Sequence, residues 1–120
     1  VVRLVGSEMC IRDRRNFELF DAPHVAFIGM ERDFGVTVGL DVGMYVQSLL
    51  LSMSAYGLGA CAQGSMRYYP DDVREMLGIP SSTAIVLGIS FGYEDPAVAA
   101  NKARVDRVPV SDSVQFCDSV

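Results

Sequence analysis

Two short stretches of this chain hold residues suited to chemistry. In the first, Ala62-Gln63-Gly64-Ser65, the glycine has no side chain, so its amide can approach a planar ligand closely, and Ser65 adds a second amide and a hydroxyl. In the second, Lys102, Arg104 and Arg107 form a cationic arm. Arginines make charge-assisted, bidentate hydrogen bonds to phosphate, each contributing about 1.5–3 kcal/mol when partly desolvated. Amides for a ring and guanidinium groups for a phosphate point to a phosphorylated heterocycle. Spacing alone also admits a plain turn at Gly64 and a solvated tail in which the arm pairs with Asp106 and Asp112.

Composition removes several other chemistries. His24 is the only histidine, so neither a Ser-His-Asp triad nor a two-histidine metal site can be built within this chain. Cys10, Cys61 and Cys117 are odd in number and far apart, with no CxxC pair, which reads as reduced thiols in a cytosolic protein and not as a disulfide frame or zinc site. Cys61, in an apolar stretch, is expected to be a small core residue. The net charge of −5 argues against a general nucleic-acid or anionic-membrane surface. From Asn16 onward the chain has thirteen acidic and six basic residues, and three of those six are the arm. A basic cluster in an acidic chain is where a bound anion is expected.

The elements that must position these residues are legible in the pattern. From Gly39 to Met66 the chain reads as a long apolar helix, a glycine stop and a turn into a small-residue strand. Val42, Tyr45, Val46, Leu49, Leu50 and Met53 share one helical face, and Met44, Leu51 and Leu58 add a second stripe. A helix apolar around most of its circumference must be buried between layers or between subunits. Thr37 is the expected N-cap, Asp41 the first-turn carboxylate and Gly57 the left-handed stop, with Leu58 making the hydrophobic contact. Asp41, Gln47 and the serines at 48, 52 and 54 argue against a membrane span. Strands are expected at His24–Met30, Ala60–Gln63 and Ala84–Phe91, the last buried on both faces. Pro70, Asp71 and Asp72 open a second helix that Gly78 and Pro80 close. Beyond Gly92 lies a turn-rich arm with a short edge strand near Val114–Cys117. This is an α+β pattern, in one domain able to bury roughly 65% of its unfolded surface.

The first fifteen residues read differently: GSEMCIRDR resembles translated sequencing-adapter DNA, which makes residues 1–15 a non-native leader and 16–120 the domain proper. From there the order FDAPHVAFIG, LDVGMYVQSLLLSMSAYGLGACAQGS, DDVREMLGIP, IVLGISFGYEDP, NKARVDRVPV resembles the C-terminal half of an FMN-dependent nitroreductase-like flavoprotein. The resemblance implies an α+β homodimer with the long helix at the subunit interface, FMN between subunits and a cytoplasmic location. It implies that Ala62, Gln63, Gly64 and Ser65 face the flavin, with the Gly64 amide toward N5 and the Ser65 amide toward O4, and that Arg104 and Arg107 hold the phosphate, Lys102 being a third candidate. Electrons would pass from NAD(P)H through FMN to nitroaromatic, quinone or related acceptors. The flavin carries the redox chemistry, so no side chain here is assigned as catalytic and none as a metal ligand. An N-terminal R-x-S-x-R motif of that family is absent, and Arg12-Asp13-Arg14 lacks the serine, so half of a cofactor site is expected. The alternative is a non-catalytic dimerisation or ligand-binding module on the same half-fold, with no nucleic-acid or membrane partner in either case.

Overall fold

The element order is β1 (His24–Glu31), α1 (Val36–Ala55), β2 (Gly59–Gln63), α2 (Pro70–Leu77), β3 (Thr83–Gly92) and a one-turn helix α3 (Val110–Ser113), with 3-10 segments at Leu19–Asp21, Gly64–Tyr68 and Ala99–Lys102. The computed structural model describes residues 14–103 and 105–117. The strands form one antiparallel sheet in the order β1-β3-β2. β3 takes the centre because its run AIVLGISF can lie against neighbours on both edges, and Ile85, Gly88, Ile89 and Ser90 are buried along it. Ile28 faces Leu87 but Gly29 faces Ile85, so Val86 is an extra residue, a bulge that bends β3.

The core is small: Val46, Met66, Val73, Ile85 and Ile89 are its buried apolar members, and Ile89 is fully enclosed. Gly88 lets the 3-10 segment settle on β3, since a Cβ there would stand 2.9 Å from Met66 Cγ. Arg74 ties α2 to the same strand, donating from Nε to the Thr83 carbonyl at 3.0 Å and pairing with Asp71 at 2.6 Å.

Both helix stops follow from glycine. Gly57 (φ +76) takes the left-handed conformation, its N–H reaching Ser54 O at 3.0 Å and the Leu58 N–H reaching Met53 O at 2.9 Å, a Schellman stop. Gly78 (φ +64) ends α2, with the Ile79 N–H bonded to Arg74 O at 2.9 Å. The start of α1 corrects the sequence reading. Gly35 is the N-cap, Thr37 lies inside the first turn and no acidic residue does, so Asp41 sits too deep to meet the leading amides.

Two further expectations change. Residues 114–117 form no strand; local bonds from the Asp112 N–H to Pro109 O and the Val114 N–H to Val110 O close α3 instead. Cys61 is exposed, because β2 is an edge strand whose only buried residue is Gln63, and Cys117 is exposed as well. Cys10 lies outside the described residues. Among the described residues nothing covers most of α1, which is compatible with the expected burial between subunits: Val46 is its one buried residue, while Leu40, Met44, Tyr45 and Leu51 are all at least 60% exposed. Its serines bond within the helix, Ser48 to Met44 O and Ser52 to Ser48 O, each at 2.9 Å, which hides their polarity. By length and composition alone α1 is long and apolar enough to cross a membrane, a test that the core helix of a soluble protein passes as well.

Ahead of β1, residues 14–17 are helical and Leu19, Phe20 and Asp21 then take φ of +55, +53 and +62. Each such non-glycine residue costs about 1–2 kcal/mol. Ion pairs hold the segment, Arg14 to Glu18 at 2.6 Å and Arg15 to Glu18 and Asp21 at 3.0 and 2.6 Å. Hydrogen bonds from Arg14 and then Arg15 keep the Glu18 carboxyl below its ordinary 4.5, Arg15 keeps Asp21 below 3.8, and Asp21 and then Glu18 raise the Arg15 guanidinium.

Because these carboxyl values are lowered in the folded state, their stabilisation is present above the ordinary carboxylate range and disappears as pH falls through the lowered values. Acid unfolding followed by circular dichroism should therefore show a flatter acid limb for a Glu18→Gln/Asp21→Asn variant, and an unaltered limb would remove the cluster from the account. Ile89→Ala is expected to cost about 2–5 kcal/mol in denaturant unfolding. Cys61→Ala on the exposed edge should stay within about 0.5 kcal/mol.

Candidate functional site

The tetrapeptide expected as a turn is a junction between two elements. Ala62 and Gln63 end β2, paired with Ile89 and Gly88, and Gly64 and Ser65 open the 3-10 segment. Alternation along the strand leaves Ala62 exposed and turns Gln63 inward to 2% exposure. The first amides of a 3-10 turn precede its first internal acceptor, which leaves the Gly64 and Ser65 N–H groups available to an external one. No heavy atom lies within 4 Å of where a Gly64 Cβ would stand, so a flat group can approach that backbone.

Two buried oxygens flank the glycine without partners, Gln63 Oε1 and Ser65 Oγ. The other end of the Gln63 carboxamide is used: Nε2 donates to the Asn16 carbonyl at 2.7 Å. An open glycine face, leading amides and unpartnered buried oxygens fit the polar edge of a flat heterocycle. Sequence reasoning selected these four residues but not Asn16 or Met66. The glycine inside the otherwise apolar β3 was the available signal, since such a residue marks a close approach.

Two members of the cationic arm, Lys102 and Arg107, are among the described residues. Lys102 ends the 3-10 segment Ala99–Lys102, and it and Arg107 are exposed. Among the described residues neither makes an ion pair with Asp106 or Asp112, and neither bonds to residues 62–65. Arg104 lies outside the described residues. What orders the approach to the arm is Asp95, whose Oδ1 accepts from the Ala97 N–H at 2.8 Å and whose carbonyl accepts from Asn101 Nδ2 at 3.0 Å. Arg67, a cation close to the junction that sequence reasoning passed over, lies 5.0 Å from the Tyr68 ring centre and donates to its hydroxyl at 3.1 Å. That bond raises the Arg67 guanidinium above its ordinary value. The described residues contain no cluster of His, Cys, Asp and Glu able to hold a metal ion.

Residues 7–93 match the family model of the nitroreductase family. Nitroreductase NfnB of Mycolicibacterium smegmatis is 35% identical over 101 residues, which cover 84% of this chain and 43% of that protein. A 4-nitrobenzoate reductase of a Nocardioides species is 39% identical over 103 residues, covering 86% of this chain and 42% of that protein. Among solved structures, the FMN-dependent nitroreductase NfnB from Mycobacterium smegmatis in complex with NADPH superimposes with a TM-score of 0.81 at 34% identity, over 86% of this chain and 46% of that one. The chain therefore spans less than half the length of these two relatives. The family match ends at Tyr93, so the cationic arm lies beyond it.

Ser65→Ala tests the unpartnered hydroxyl. With no hydrogen bond to lose, the ligand-free protein is expected to keep or slightly raise its unfolding midpoint. A fall of several degrees in calorimetry would reveal a partner inside the protein.

Proposed function

The chain belongs to the nitroreductase family, and from that premise we propose that it supplies the C-terminal half of an FMN-dependent oxidoreductase acting on nitroaromatic, quinone or related acceptors. The observation that carries the reading is the strand-to-3-10 junction at Gly64, open on one side and flanked by buried oxygens without partners. FMN bound there would accept electrons from NADH or NADPH and deliver them to the acceptor. In this reading Ala62, Gln63, Gly64 and Ser65 line the ring. The Gly64 amide serves N5 and the Ser65 amide O4, where fixed donors stabilise charge that builds up on the ring. No acid or base side chain is needed for that task.

Arg107 and Arg104 are assigned to the phosphate, with Lys102 as an accessory cation. The exposure of Arg107 and the absence of an ion pair to it among the described residues support the assignment, since a guanidinium already committed to a carboxylate would be a poorer anion ligand. The exposed apolar side chains of α1 support a homodimer in which a second copy covers them. The same reading places the protein in the cytoplasm, with a small-molecule acceptor and no nucleic-acid or membrane partner.

Arg107→Ala in the full-length protein is expected to weaken FMN binding roughly 10-fold or more, the loss of one charge-assisted contact. Equilibrium dialysis with flavin fluorescence reads this directly, and unchanged occupancy would remove Arg107 from the site.

A further inference from the structure

The Gln63 carboxamide is the least explained group in the molecule. It ends an edge strand whose other residues, Gly59 to Ala62, are all exposed, yet it is only 2% exposed itself. Half of it is satisfied, through Nε2 and the Asn16 carbonyl at 2.7 Å; the other half, Oε1, is buried without a partner. A half-satisfied buried amide is costly, and an apolar residue of the same volume would fill the position without that cost. What an apolar residue lacks is a donor.

That donor meets a particular carbonyl. Residues 14–17 are helical, the Glu18 N–H still reaches Arg14 O at 3.0 Å, and positive φ at Leu19, Phe20 and Asp21 then ends the helix, so Asn16 lies in its last turn, where carbonyls take side-chain donors. Gln63 thus caps that turn from 47 positions away in sequence. The same residue is the N-cap of the 3-10 segment that Gly64 opens. Pinning its side chain at one end while β3 holds its backbone at the other fixes the peptide plane leading into Gly64.

We propose that Gln63 is a positioning residue for the flavin ring edge: its bond to Asn16 O sets the direction of the Gly64 and Ser65 amides. The inference rests on the flavin reading of this junction, and it goes further by tying ring recognition to the segment before β1. A group that acts at the ring end must affect FMN and riboflavin alike, because riboflavin lacks the phosphate.

Gln63→Met keeps the volume and removes the donor. In the full-length protein it is expected to weaken FMN and riboflavin binding by the same factor, roughly 5- to 10-fold, with the flavin-free unfolding midpoint within a few degrees of wild type. Equal affinities in variant and wild type, or a loss confined to FMN, would overturn the inference while leaving the flavin reading intact. A wild-type protein that binds neither flavin would overturn both. Should the variant fold poorly, the wild-type protein gives a second readout: the side-chain amide resonances of Gln63 must shift on saturation with riboflavin, and unmoved resonances would overturn the role.

Discussion

The seat of Met66 on Gly88 is the contact on which the rest of the structure depends. Gly88 pairs with Gln63 in the last rung between β2 and β3, and its missing side chain leaves room for Met66, three residues further along the chain from Gln63. One buried methionine therefore decides where the strand ends, how steeply the 3-10 turn descends and where the Gly64 backbone surfaces. Packing does this, not charge, since Met66 is 4% exposed and Ile89 beside Gly88 is fully enclosed. Arg74 anchors α2 to the start of the same strand, so the two elements that follow the junction are referred to one rigid member.

Much of this was legible in the sequence because the governing rules are local. The apolar run of β3, the proline and acids opening α2, and the left-handed glycines at 57 and 78 need only neighbouring residues to be understood. The misreadings have two causes, local choices that the residue pattern leaves open and the influence of distant parts of the chain. Cys61 looked like core because its neighbours are apolar, but β2 is an edge strand, a property of sheet order that no window of residues contains. Thr37 had the right chemistry for a cap, and Gly35 took the place two positions earlier. The bond between Gln63 and Asn16 spans 47 residues and has no local signature. A strand running into a glycine turn at Ala62 to Ser65 was legible in the sequence; the contacts that hold Gln63 and Met66 were not.

The two regions left open by the fold differ in kind. Along α1 the open surface is apolar, and water contact with Leu40, Met44, Tyr45 and Leu51 is unfavourable in proportion to area. Along the arm the open groups are cations, which water solvates well and which gain from an anion only when partly desolvated. In the proposed function the first region would favour association and the second would favour a charged ligand. In the proposed assembly both would be completed by groups outside the described residues.

The Schellman stop at Gly57 has a mechanical consequence. Only Leu58 separates Gly57 from the first residue of β2, so the connection has no slack to absorb movement. α1 is twenty residues, an arm about 30 Å long, and a pivot of about 2° at its base sweeps the far end by about 1 Å. Run in reverse, the same gearing lets pressure on the far end of the helix turn the short strand that ends at Gln63. Whatever grips α1 therefore holds the handle of a lever whose working end is the junction at Gly64.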